Sequence, residues 1–155
     1  MLRYTDHCIV FQEIPNEVTL AINISNCPNR CKGCHSPYLM DNIGEPLNEE
    51  VLSQLLCKYG ASITCVCFMG GDADPKEIDW LAFFLRNQAI SPVKVGWYSG
   101  RDKLPIDISI HNFDYIKIGP YIEKLGGLKS SNTNQRLYQI TGRELKDITN
   151  CFWKK

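Results

Sequence analysis

No stretch of the sequence approaches the roughly 20 consecutive apolar residues that a membrane-crossing helix needs, so no membrane span is expected. Residues 1–14 lack a cationic stretch followed by a long apolar one, so no export signal is expected there. Net charge is missing too. Lys plus Arg and Asp plus Glu number 17 each, which argues against a protein that grips nucleic acid through its phosphates. There is no internal repeat, low-complexity tract or linker. The 155 residues therefore read as one domain, 1–155, long enough to bury a core. With 44% hydrophobic and 22% charged residues, the composition is that of a globular chain.

What the sequence does have is eight cysteines. An even count in a small secreted protein would suggest disulfides. Without an export signal, and with ordinary core composition, a reducing, cytoplasmic setting with some cysteines holding metal is the expectation.

Residues 18–24 alternate, with Val18, Leu20, Ile22 and Ile24 on one face, and predict a strand. Residues 8–12 are expected to pair with it as a hairpin around Ile14-Pro15-Asn16. Asn48 reads as an N-cap, with Glu49 and Glu50 in the first turn, for a helix carrying Val51, Leu52, Leu55, Leu56 and Tyr59 and stopped by Gly60. Residues 62–69 suit a strand buried on both faces. Asp74, Pro75 and Glu77 then open a second helix whose inner stripe is Ile78, Leu81, Ala82 and Leu85. Residues 93–98 and 113–118 are two further strands, and 137–140 a weak one. The Thr141–Glu144 spacing predicts a cap for a last short helix. Alternating strands and helices imply an α/β fold on a mostly parallel sheet, whose C-terminal strand ends form the ligand face. The loops after the first and second core strands should therefore meet on one rim.

The first of those loops is Asn26-Cys27-Pro28-Asn29-Arg30-Cys31-Lys32-Gly33-Cys34-His35, rich in turn formers. Cys27, Cys31 and Cys34 have three and then two residues between them, so their sulfurs can converge on one centre. Zinc would want a fourth ligand, for which His35 is the neighbouring candidate. A [4Fe–4S] cluster held by three thiolates would keep one iron open for a small molecule. The second loop is Gly70-Gly71-Asp72, where glycines permit close backbone approach and the carboxylate suits an ammonium group.

The Cys-x-x-x-Cys-x-x-Cys loop after one strand, with Gly-Gly-Asp after another, resembles the radical S-adenosylmethionine superfamily. Within it, the short chain and the run from Cys27 to Pro37 resemble the glycyl-radical activating enzymes, closest to the branch that activates anaerobic ribonucleoside-triphosphate reductase. Val95-Gly96-Trp97-Tyr98-Ser99-Gly100 is similar to that branch's apolar strand. Ser130-Ser131-Asn132 with Gln135-Arg136 is similar to its Ser-Ser-Asn-Gln-Arg run, here interrupted by Thr133-Asn134. The resemblance spans about residues 9–138 and implies a small, incomplete β/α barrel of radical-SAM type.

It further implies that Cys27, Cys31 and Cys34 ligate a [4Fe–4S] cluster. Gly33, Cys34 and His35 would line S-adenosylmethionine, and Gly71 would touch its methionine part, with Gly70 and Asp72 shaping the turn. No conventional catalytic acid, base or nucleophile is implied. The implied partners are the reductase and a one-electron donor such as flavodoxin or ferredoxin, with no nucleic acid or membrane. A zinc-stabilised interaction module, a simple iron–sulfur electron carrier, and another short radical-SAM enzyme or activase with a different protein or small-molecule substrate are the alternatives. Cys65, Cys67 and Cys57 read as packing residues, Cys8 and Cys151 as packed or simply exposed. Trp80, Phe83 and Phe84 read as core or helix-packing aromatics, one of which, if exposed, could contribute to a partner surface. Lys117 reads either as a reach toward a ligand carboxylate or as the wet face of an edge strand.

Overall fold

The computed structural model describes residues 1–29 and 37–153. Alternating Leu20, Ile22 and Ile24 build β2 (Thr19–Ile24), which β1 (Arg3–Val10) joins antiparallel in the expected hairpin. Asn16 turns that hairpin with φ of 66°. The two-residue β3 (Glu45–Pro46) lies outside β1. Asn48 caps α1 (Glu49–Tyr59) by accepting the Val51 N–H at 3.0 Å. Strand β4 (Cys65–Met69) and helix α2 (Pro75–Asn87) follow, with Asp74 capping α2 through the Glu77 N–H. The Glu77 carboxylate does not close a capping box. It accepts the Leu2 N–H at 3.0 Å and so ties the helix to the chain's first strand.

Strands β5 (Lys94–Tyr98), β6 (Tyr115–Ile118), β7 (Arg136–Thr141) and β8 (Glu144–Asp147) complete one sheet among the described residues, in the order β3-β1-β2-β4-β5-β6-β7-β8. Only the central β2, β4, β5 and β6 pair parallel, while both flanks are antiparallel. The expectation of a mostly parallel sheet holds for this centre and not for the flanks. The four parallel strands advance in chain order without reversal. Leu52, Leu55 and Leu56 of α1 and Ile78, Leu81 and Leu85 of α2 share one core with Leu20, Ile22, Val66, Phe68, Val95 and Trp97, which puts both helices on the same face. Each such side chain, fully buried, contributes on the order of 1.5–3 kcal/mol.

The opposite face is also covered. Cys65, Cys67 and Tyr115 pack there with Ile14, Leu137 and Ile148, joined by Leu128 and Phe152. Gly96 makes room for Ile14, because a Cβ on it would stand 2.6 Å from the Ile14 Cδ1. Cys65 and Cys67 are fully buried, and burial pushes both thiols up, as expected of inert packing cysteines.

Three expectations are corrected. The Thr141–Glu144 segment starts no helix: Gly142, with φ of 65°, turns the chain so that Thr141 pairs with Glu144 in the β7–β8 hairpin. A short 3-10 turn, Thr149–Phe152, comes only after β8. Cys57 is exposed on α1 rather than packed. Trp80 and Phe83 are likewise exposed and stack on each other on the outer side of α2, with the Trp80 indole donating to Glu49. Among the described residues, no helix is long and apolar enough to cross a membrane.

At the N-terminal end of the parallel strands, buried Glu17 accepts from Tyr115 Oη at 2.6 Å, Thr64 Oγ1 at 2.7 Å and Lys94 Nζ at 2.9 Å. Burial alone would raise this carboxyl. The hydrogen bonds from Tyr115, Lys94 and Thr64, with the Lys94 charge, outweigh it and hold the group below the ordinary carboxylate range. A lowered carboxyl contributes stability above its unfolded pKa of about 4.3 and loses it as pH falls through the lower folded value. Glu17→Gln should therefore cost about 1–3 kcal/mol at neutral pH, by turning an acceptor into a donor among donors. In urea melts the deficit should narrow below about pH 4.3. An unchanged deficit in acid would remove the charge from this account.

Candidate functional site

In the parallel centre of the sheet, β2, β4, β5 and β6 all end on one side, and the chain leaving each contributes to a shared rim. Beyond β2, Ser25 is held by the Arg3 carbonyl and by Ile43, and Asn26 adopts φ of 59°. The Asn26 and Cys27 N–H groups then donate to the Asp41 and Leu39 carbonyls at 2.9 and 2.8 Å, which delivers Cys27 half-buried to the rim. Cys31, Gly33, Cys34 and His35 lie outside the described residues, so the convergence of three sulfurs is neither drawn together nor taken apart.

Beyond β4, the Gly-Gly-Asp turn is shaped by its neighbours. Gly70 has φ of 114° and Gly71 φ of 98°, the left-handed side that glycine alone enters freely. A Cβ on Gly71 would sit 2.5 Å from the Cδ1 of Ile78, which is fully buried. The Gly70 carbonyl accepts from the indole of buried Trp97 at 2.7 Å, and the Gly71 carbonyl accepts the Asp74 N–H at 3.0 Å. Both carbonyls thus serve the core and the helix cap.

Asp72 is the centre of the rim. It is 3% exposed, and its Oδ1 accepts from Ser99 Oγ at 2.5 Å. Its Oδ2 accepts from Asn29 Nδ2 at 2.6 Å and from the Gly100 N–H at 2.8 Å. The same Asn29 amide points its nitrogen at Cys27 Sγ, 3.6 Å away. The two loops expected to share a rim therefore touch through one amide. All three donors to the Asp72 carboxylate are neutral, and among the described residues no cation forms an ion pair with it, although the Arg101 guanidinium donates to the Asp72 backbone carbonyl at 3.4 Å.

Lys117, on β6 beside β5, is buried rather than on a wet edge. Its Nζ donates to the Ser99 carbonyl at 3.1 Å and the Gly119 carbonyl at 2.8 Å, 5.9 Å from the Tyr98 ring centre. Outside this network a cleft of about 670 Å³ opens between Asp72, Ala73 and Pro75 on one side and Arg101 to Lys103 with Pro105 on the other. That is ample for a nucleoside-sized ligand.

Sequence reasoning missed Asn29, Ser99 and Gly100 as members of the site. Asn29 passed as a turn former, and Ser99-Gly100 as the end of a strand. The signal available was their common position, just past the C-terminal end of a parallel strand. Of the Ser130-Ser131-Asn132 and Gln135-Arg136 residues, Ser130 Oγ accepts the Asn132 N–H at 3.3 Å and Gln135 Nε2 donates to the Gly119 carbonyl at 3.4 Å, beside β6.

Gly71→Ala should cost about 2–4 kcal/mol, combining left-handed strain with the collision against Ile78. Gly142→Ala, at φ of 65° with nothing within 4 Å, carries strain alone and should cost about 1–2 kcal/mol. Equal losses in chemical denaturation would mean that the Gly71 packing is unimportant. No protein-family profile, curated protein or solved structure matches this chain.

Proposed function

We propose that the protein is a radical S-adenosylmethionine enzyme of the glycyl-radical activating type, acting on anaerobic ribonucleoside-triphosphate reductase. The observation that carries this reading is the contact between the two motif loops: the Cys27 loop meets Gly70-Gly71-Asp72 through Asn29 at 2.6 Å. The helices gathered on one face and four parallel strands in chain order suit an incomplete β/α barrel.

The donor chemistry at the rim fits the groups the motif implies. Cys27 presents a half-buried sulfur with an amide nitrogen directed at it, the kind of outer contact that supports a metal thiolate. The Asp72 carboxylate is buried and its own donors are neutral, which leaves its acceptor chemistry suited to an ammonium group. Cys27, Cys31 and Cys34 would hold a [4Fe–4S] cluster through three thiolates. Gly33, Cys34, His35 and Gly70, Gly71, Asp72 would surround S-adenosylmethionine. When bound, these cofactors would supply the chemistry, a one-electron reductive cleavage of S-adenosylmethionine coupled to hydrogen removal from a glycine Cα of the reductase.

The chain's own residues pack and position. Ile14, Ile148, Leu128 and Phe152 pack with Cys65, Cys67, Tyr115 and Leu137 over the second face of the sheet. Trp97 and the α2 cap fix the Gly-Gly turn, and Lys117 fixes the strand ends beside it. The electron comes from outside, from a carrier of the flavodoxin or ferredoxin class.

Anaerobic reconstitution followed by dithionite reduction should give about four irons per chain and release 5′-deoxyadenosine from S-adenosylmethionine, in the stoichiometry of a three-cysteine [4Fe–4S] site. Cys31→Ala should lose both. A glycyl radical should appear by EPR on the reductase only when both proteins are present. Zinc in place of iron sinks the enzyme reading. Deoxyadenosine without a glycyl radical keeps the chemistry and removes this partner, which would favour a different substrate for the same site.

A further inference from the structure

Asp72 suits an ammonium by its charge, yet three of its roughly four acceptor positions are already taken by the protein. We propose that the Asn29–Asp72 pair is a positioning device, which fixes the cysteine loop to the rim and aims an amide N–H at the Cys27 sulfur. The inference deepens the reading above and rests on it for the identity of the metal group, but the tether itself belongs to the cofactor-free chain.

An asparagine amide carries two hydrogens, and the Asn29 nitrogen lies within reach of two acceptors: Asp72 Oδ2 at 2.6 Å and Cys27 Sγ at 3.6 Å. Its place is built for it. A Cβ on Gly100 would stand 2.6 Å from Asn29 Nδ2, so the residue after Ser99 has to lack a side chain for the amide to lie there. The acceptor is 3% exposed, so water competes little for the bond.

Asp72 is anchored in turn. Ser99 Oγ holds its other oxygen and also accepts the Arg101 N–H at 3.1 Å. The Ser99 N–H donates to the Lys117 carbonyl at 2.8 Å, and Lys117 Nζ returns to the Ser99 carbonyl. Asn29 is thereby referenced to β4, β5 and β6 rather than to its own loop. Outer contacts of this kind set the geometry of metal ligands that stand on loops. An N–H aimed at a ligand sulfur also stabilises an added electron.

Two measurements test it. In the cofactor-free protein, alkylation of each cysteine is followed by peptide mass spectrometry at a pH where the rate no longer rises, so that access is read. Asn29→Ala and Asp72→Asn should each speed labelling of Cys27 about threefold to tenfold, the range of one lost hydrogen bond. The double variant should be no faster than the quicker single one, because both break the same link. Buried Cys65 and Cys67 report unfolding in the same sample and should stay protected. Gly100→Ala, which crowds the Asn29 amide while keeping both the Asn29 and Asp72 side chains and the residue-100 N–H, should act in the same direction and serves if Asp72→Asn folds poorly.

In the loaded protein, Asn29→Ala should make cluster reduction about threefold to tenfold less favourable, lowering the midpoint potential by up to about 59 mV. A merely structural asparagine would leave that potential alone. Unchanged Cys27 labelling in Asn29→Ala and Gly100→Ala overturns the proposal, as does acceleration that appears only together with labelling of Cys65 and Cys67. Absence of any cluster would remove the proposed function and leave the tether to be judged by the labelling alone.

Discussion

A carboxylate withdrawn from water has to be given hydrogen bonds, and the chain supplies Asp72 with three from two other loops. That requirement organises the rim. The loop after β2 approaches through Asn29, the turn after β5 through Ser99 and Gly100, and β6 supports the latter through Lys117. Residues far apart in the chain are drawn to one point because parallel strands bring their C-terminal ends to the same side. The glycines near this point answer to separate demands. Gly71 avoids Ile78 in the core, and Gly100 avoids Asn29 on the rim.

The sheet is held at its other end by a second buried carboxylate with a different balance. Glu17 gathers Tyr115, Thr64 and Lys94, so a cation shares the work. The Asp72 carboxylate is met by neutral donors. The two carboxylates thus differ in their partners: Lys94 donates directly to the Glu17 carboxylate, whereas the Arg101 guanidinium reaches the backbone carbonyl of Asp72, at 3.4 Å, and not its carboxylate. The first fastens strands at one end of the sheet, and the second ties together the loops at the other.

Much of this was legible in the chain. Leu20, Ile22 and Ile24 alternate as a strand must, and Asn48 and Asp74 cap the helices they appear to cap. Cys65 and Cys67 behave as small apolar side chains. The shared rim followed from the βαβ order alone. The misreadings have physical causes. Thr141 and Glu144 have the spacing of a capping box, but Gly142 can enter the left-handed region and makes the same four residues a hairpin. Trp80 and Phe83 looked like core residues because aromatic character says nothing of which side of a helix meets the sheet. The other side of α2, with Ile78, Leu81 and Leu85, was already sufficient to fill the core. Asn29 escaped notice because its role depends on a partner 43 positions away in the chain, and no local pattern encodes such a pair.

Gly96 has a further effect. By omitting a side chain in the middle of β5 it admits Ile14, and the first hairpin's loop becomes a stopper at the foot of the sheet's inner face. The hairpin loop is thereby keyed to the centre of β5 and to Cys67 on β4, so a side chain at position 96 would push the loop off the sheet.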